Sequence, residues 1–343
     1  MACTMENIIF KKYLEDRSAG IDEHMRGYFH DGSHPDMTRY LYAPLSKYSE
    51  NGGKRHRPLI TLLACLAVGG KEEQAMAAGA AIEHFHTAAL IHDDIADDSK
   101  LRRGEPCMHI TMGEGLAINA GDLALSLVTG TVLNDDKLED GVKIRVLKEL
   151  VDMTTRTIEG QAMDIGWAKD GRFDISVDDY LTMAQHKTAF YSGAVPLAIG
   201  AIIGGGTEEQ IEVLRAYGMS TGLAFQLQDD LLNLIGDKEA QGKDFRSDIT
   251  EGKRTMIAVH ALANTSGAEH EELLELLSSK ETDPDRLARA VEIMTNAGSI
   301  DYVRSYAFKL AAEGQDDVKR VLPMSVSRKL LLAMGDFFVS RLN

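Results

Sequence analysis

The stretch Glu83-His-Phe-His-Thr-Ala-Ala-Leu-Ile-His-Asp-Asp-Ile-Ala-Asp-Asp98 decides how the chain is read. At helical spacing Phe85, Ala89, Asp93 and Asp97 fall on one stripe, with Asp94 and Asp98 beside it and His86 two turns before Asp93. Like charges four residues apart destabilise a helix, and acids near a helix C-terminus oppose its dipole. The turn-forming Arg103-Gly-Glu-Pro106 puts such an end close by. A solvated surface end would tolerate these charges. However, Thr87-Ala-Ala-Leu-Ile is too apolar for a surface helix, and Arg102-Arg103-Gly104 follows at once. The pattern predicts a buried helix whose carboxylates are offset by a hard divalent cation. Magnesium is the natural choice, because it combines one or two carboxylates with substrate phosphates.

A second acidic helix follows at Phe225-Gln-Leu-Gln-Asp-Asp-Leu-Leu-Asn233, where Asp229 and Asp230 match the first two acids and Asn233 stands in the third place. Two such helices facing one another predict several cations held between them, acting as Lewis acids on phosphoryl oxygens. Basic residues sit on glycine-rich breaks around both. In Asn51-Gly-Gly-Lys-Arg-His-Arg-Pro58, Lys54 and Arg57 are placed at a helix N-terminus that already favours anions. Gly242-Lys243, Glu251-Gly-Lys-Arg-Thr255 and Gln185-His-Lys-Thr188 repeat the theme. Any one lysine is ordinarily a solvated residue; it is the set that counts. Two diphosphates carry about six negative charges, which need metals and Lys/Arg together.

The rest of the chain narrows the class. Seven prolines and few aromatic residues favour helix over sheet. Short breaks, such as Asn134–Asp136, Lys169–Arg172 and Gly204–Gly206, separate amphipathic segments without any linker. Residues 1–343 therefore read as a single all-α domain, with no sheet expected. A net charge of −16 argues against nucleic acid or an anionic membrane as partner. Uninterrupted apolar runs such as Leu59–Gly70 and Ala194–Gly206 fall short of about 18 residues, so no membrane anchor is expected. Cys3, Cys65 and Cys107 form no metal pattern or disulfide framework and fit a reducing compartment. With no signal-peptide layout, the expected location is cytoplasmic.

Taken in order, Gly52-Gly-Lys-Arg-His-Arg-Pro58, Leu90-Ile-His-Asp-Asp-Ile-Ala-Asp-Asp-Ser-Lys-Leu-Arg-Arg-Gly-Glu-Pro106, Asn119-Ala-Gly-Asp122, Glu159-Gly-Gln-Ala-Met-Asp164, His186-Lys-Thr-Ala189 and the run from Gln226 to Thr255 resemble the trans-isoprenyl (polyprenyl) diphosphate synthases. That resemblance implies an all-α bundle with a deep central cavity, usually homodimeric. It implies that Asp93, Asp97 and Asp229 bind three magnesium ions, supported by Asp94 and Asp230. Arg102, Lys187, Thr188, Gln226, Lys243 and Lys253 would contact an allylic diphosphate. Lys54, Arg57, His86 and Arg103 would hold isopentenyl diphosphate. The implied reaction is ionisation, condensation and elimination. Two positions depart from the family pattern: Asn233 replaces a frequent Asp, and Arg246 a common Gly.

Product length is read from the residues below Asp93. Ala89 lies one turn down, about 6 Å, with Ala88 beside it. Short-product members of the family carry aromatic residues there, so the alanines predict geranylgeranyl diphosphate or something longer. Phe85, a further turn down, is either the stop or ordinary core. Three rivals are weaker. A class I terpene cyclase would carry an Asn/Asp-x-x-Ser/Thr-x-x-x-Glu pattern, which Gln226–Asn233 lacks. A His-Asp phosphohydrolase leaves the second acidic helix unexplained. A catalytically weak regulatory subunit should have eroded the acids and lysines. His84 and His109 read as structural or surface residues, and His92 as orienting its acidic neighbours.

Overall fold

In the computed structural model, which describes residues 5–29, 31–50, 53–236 and 246–340, the apolar periodicity resolves into helices joined by short turns. Their ends follow from the local sequence. The Glu208–Ile235 helix opens on a capping box, with the Thr207 hydroxyl accepting from Gln210 N–H and the Gln210 side chain accepting from Thr207 N–H, and acids fill its first turn. The Glu72–Ala96 helix stops where its acids accumulate: Asp97 is the C-cap, and Asp98 turns into the left-handed region. The only strands among the described residues are Leu101–Arg102 and Glu105–Pro106, a two-residue antiparallel ribbon where none was expected. Segments this short leave no alternation for sequence to reveal.

Glu208–Ile235 crosses the Gln185–Ala194 segment closely enough for their main chains to touch. A Cβ on Gly193 would lie 2.0 Å from the Gly218 carbonyl oxygen, and one on Gly218 would lie 2.4 Å from that of Gly193. Only paired glycines allow this approach. Gln185–Ala194 is itself wound as a π-helix, immediately before Pro196, which has no N–H to donate. The aliphatic core is continuous from Phe10 and Leu14 at one end of the chain to Met334 and Phe338 at the other.

Two long helices are left partly uncovered. Asp140–Lys169 buries Val146, Leu150, Met153, Thr157, Gly160, Asp164 and Trp167. Its opposite side exposes Ile144, Val151, Ile158 and Ile165 at seven-residue spacing. Glu114–Leu133 packs along Glu72–Ala96 but exposes Ile118 and Leu133. By length and composition alone it is also long and apolar enough to cross a membrane, with 39% of the apolar window buried. Counting uninterrupted apolar runs overlooked it, because Asn119 and Asp122 break the run without ending the helix.

Candidate active site

A cavity of about 1570 Å³ opens between the two acidic helices and is lined by most of the described candidate residues, though not by Asp94, Asp97, Phe85, Ala88 or Ala89. From Glu72–Ala96 it is lined by Glu83, His86, Leu90 and Asp93; from Glu208–Ile235 by Gln226, Asp229, Asp230 and Asn233. Lys187 and Thr188 reach it from the π-helical segment, Lys54 and Arg57 from the start of the His56–Val68 helix, Arg102 and Arg103 from the ribbon, and Lys253 from its far side. Lys243 lies outside the described residues.

The first acids are engaged by cations of the chain itself. Asp93 accepts from the Gln161 amide at 3.0 Å and lies 3.8 Å from Lys187 and 3.7 Å from Arg102. Burial alone would raise its pKa, but Lys187, Lys253 and Arg102 outweigh burial and hold Asp93 well below the usual carboxylate range. Lys253 donates to Asp97 at 2.8 Å and pairs with Glu251 at 2.6 Å. Asp97 is nevertheless raised by burial, with Asp93 adding to the effect against Lys253. Asp94 turns away from the cavity. It is buried against Arg102, which donates to it, and the Tyr48 hydroxyl at 3.2 Å, so it aims the guanidinium.

At the second helix, the Asp230 carboxyl is pushed up to about 8 by burial and by Asp248, despite hydrogen bonds from Tyr180 at 2.6 Å and Gln226 at 2.7 Å. A buried carboxyl raised this way in a nest of acids is one that a divalent cation would ionise. The donors are all carboxylate oxygens, which suits a hard cation such as magnesium. Among the described residues no three His, Cys, Asp or Glu side chains converge on one ion. Any cation here completes its shell with ligand oxygens, as magnesium commonly does with phosphates.

The opposite wall is built for an anion. Arg57 is buried, lies 4.5 Å from the Tyr191 ring centroid, and donates to Tyr191 Oη at 3.1 Å and Ser192 Oγ at 2.8 Å. His86 beside it is held well below the usual histidine range by burial and by Arg57 and Arg103, and its buried Nδ1 has no hydrogen-bond partner among the described residues. Arg55, within the same Gly-Gly-Lys-Arg motif, turns inward to Glu83 at 2.7 Å and Asp22 at 2.5 Å. Arg55 thus lines the cavity with its guanidinium already committed to two acids of the scaffold.

Several expectations are revised. Phe85, Ala88 and Ala89 do not line this cavity. Phe85 packs in the aliphatic core with its ring 5.6 Å from that of Tyr191, and Ala88 is buried against Leu45, Tyr48, Ala117, Ala120 and Ala124. The reason is helical pitch: steps of four residues drift by about 40° each, so a stripe drawn backwards from Asp93 has rotated by about 80° at Phe85. The true cavity edge alternates three and four, through Glu83, His86, Leu90 and Asp93. Sequence reasoning gave no role to Gln161, Asp164, Asp248 or Tyr180, though the first two lie in Glu159-Gly-Gln-Ala-Met-Asp164. His84 is fully buried, with ring contacts to Tyr28 and Phe29.

The polyprenyl synthetase family profile matches residues 38–294. The chain belongs to that family. It is 39% identical, over 84% of its length and 87% of the relative's, to a short chain isoprenyl diphosphate synthase of Methanothermobacter thermautotrophicus. It is 33% identical to the geranylgeranyl diphosphate synthase of Sulfolobus acidocaldarius, over 97% of this chain and 98% of that one. The crystal structure of a geranylgeranyl pyrophosphate synthetase from Pyrococcus horikoshii superposes with a TM-score of 0.89 at 32% identity, covering 97% of this chain and 98% of that chain. The chain is thus a prenyltransferase on the all-α isoprenoid synthase fold, and the cyclase and regulatory-subunit readings are not favoured.

Proposed function

We propose that this site joins isopentenyl diphosphate head to tail to an allylic diphosphate, releasing diphosphate and forming a polyprenyl diphosphate of geranylgeranyl length or longer. One observation carries the reading. Carboxylates from both acidic helices and basic residues from five other segments line a single cavity.

Lys187, Lys253 and Arg102, with Thr188 and Gln226, form the wall suited to the allylic diphosphate, and Lys243 is assigned there by resemblance. Lys54, Arg57, Arg103 and the neutral imidazole of His86 suit the diphosphate of isopentenyl diphosphate. Buried cations stabilise the negative charge that grows on the leaving diphosphate far more than solvated ones would. The allylic cation is attacked by the double bond of isopentenyl diphosphate, and the proton then lost passes to the departed diphosphate. Exclusion of water by the cavity walls protects the cation. Asp93, Asp97 and Asp229, supported by Asp94 and Asp230, would hold magnesium, three ions by resemblance, which supplies Lewis-acid stabilisation of the same charge.

The small side chains of Ala88, Ala117, Ala120 and Ala124 cluster in a packed seam outside the cavity, which the growing hydrocarbon would open between the Glu72–Ala96 and Glu114–Leu133 helices. Residues 1–343 act as one domain, a reading supported by the core cluster that runs from Phe10 to Phe338. The exposed Ile144, Val151, Ile158 and Ile165 stripe, beside the half-covered Glu114–Leu133 helix, supports a homodimer. Neither nucleic acid nor a membrane anchor enters the scheme, and the enzyme is assigned to the cytoplasm.

The test is incubation with magnesium, labelled isopentenyl diphosphate and each allylic primer in turn, then sizing of the dephosphorylated products. A discrete ladder ending at four or more isoprene units is expected. Cyclic hydrocarbon formed without isopentenyl diphosphate, or no turnover, overturns the reading.

A further inference from the structure

The Glu159-Gly-Gln-Ala-Met-Asp164 segment lies where the Asp140–Lys169 helix meets the π-helical Gln185–Ala194 segment. Gly160 makes the contact possible, since a Cβ there would sit 2.3 Å from the backbone nitrogen of Lys187. On the same face, Gln161 Nε2 donates to Asp93 Oδ1 at 3.0 Å, and Asp164 Oδ2 accepts from Lys187 Nζ at 2.5 Å. Lys187 Nζ is in turn 3.8 Å from that same Asp93 oxygen. Asp164 is only 7% exposed, and its carboxylate faces the lysine instead of solvent. A span of four residues therefore grips one oxygen of the first acid and the ammonium beside it.

Resting on the reaction assigned above, we propose that Gln161 and Asp164 are positioning residues. Gln161 ties down Asp93 Oδ1 and leaves Oδ2, which lies 3.7 Å from Arg102, as the oxygen for a cation. Asp164 fixes the Lys187 ammonium where the allylic diphosphate must lie. A free lysine has many rotamers, and orienting it beforehand removes that disorder from the reacting complex. An uncharged amide suits Asp93, because it orders the carboxylate without competing with a cation for its charge. Gln161 does not line the cavity, and Asp164, which does, has its carboxylate taken up by Lys187, so both act through others.

Four variants of the full chain, D164N, D164E, K187A and D164N/K187A, test the lysine arm. D164N is expected to lower kcat about 10–100-fold, with KM for isopentenyl diphosphate unchanged and partial rescue in D164E. The double variant should be no slower than K187A, because Asp164 works only through that lysine. Additive losses, or wild-type kcat in D164N, overturn this arm. Q161L tests the other arm even if D164N does not fold. Its magnesium midpoint, read as a thermal shift with inorganic diphosphate present, is expected to rise about 10-fold. An unchanged midpoint overturns the role of Gln161. The thermal shift needs no turnover, so it stands apart from the assigned reaction. Failure of the wild-type chain to elongate would sink that reaction and leave the Gln161 test readable.

Discussion

The side-chain oxygen of Asn233 accepts the backbone N–H of Asp248 at 3.2 Å, while its amide donates to Ser247 Oγ at 3.0 Å. The Asn233 carbonyl also receives the N–H of Arg246 at 3.2 Å. The residue standing in the third acid's place is thus a clasp on the turn that carries Asp248 to the cavity. Asn233→Ala is expected to lower stability by about 1–2 kcal/mol and to raise the magnesium requirement. Asn233→Asp keeps the acceptor contact to Asp248 N–H, turns the donor contact to Ser247 Oγ into one in which the serine must donate, and adds a charge near Asp230, so it should lower that requirement. Thermal unfolding and magnesium titration of turnover check both.

Arg246 holds a φ of 63°, a left-handed conformation that suits glycine and strains a side chain. Arg246→Gly is expected to raise stability by about 1 kcal/mol, measured by denaturant midpoint at unchanged slope. A fall in stability would mean that the guanidinium contributes more than the strain costs.

Asp93→Asn leaves the helix intact and removes the charge that Lys187, Lys253 and Arg102 surround. Turnover should fall on the order of 10²–10³-fold, with far less change in isopentenyl diphosphate KM. Steady-state kinetics with each substrate varied in turn distinguishes this from a general loss of binding.

His84 sets an acid limit on the fold. Burial lowers its pKa to about 4 from an ordinary value of 6.5, with His24 and Arg55 acting the same way. The unfolded chain therefore binds more protons between those two values, and stability falls as pH drops from 6.5 towards 4. Above 6.5 the contribution is fully present, on the order of 3 kcal/mol. His84→Phe keeps an aromatic ring against Tyr28 and Phe29 and should flatten this limb. Unfolding free energies at pH 4.5, 5.5 and 7 check it.

Two surface and seam changes test the remaining assignments. Ile158→Glu on the exposed stripe should give monomers in sedimentation. Ala88→Phe should shorten the product ladder; unchanged products would remove the Ala88 seam from length control.

The helical class and a dozen of the cavity's lining residues were legible because acids inside apolar helices and lysines beside glycines are locally unfavourable, and such conflicts mark sites. Asp94 and Arg55 sit in the same motifs as their functional neighbours, yet they face Arg102 and Glu83. Spacing cannot tell which of two adjacent charges points inward when both lie near a helix end. The stripe through Phe85 was misplaced by helical drift. Gln161, Asp164 and Asp248 stayed hidden because their partners lie 68, 23 and 15 residues away.

The main-chain contact of Gly193 with Gly218 has an evolutionary corollary. Lys187 and Thr188 lie on one of the crossing segments and Gln226, Asp229 and Asp230 on the other, so the gap between them is gauged by backbone against backbone. Side chains elsewhere can swell or shrink without altering that gauge. A chain that keeps this glycine pair is therefore expected to keep the spacing between those two groups of side chains while residues elsewhere change.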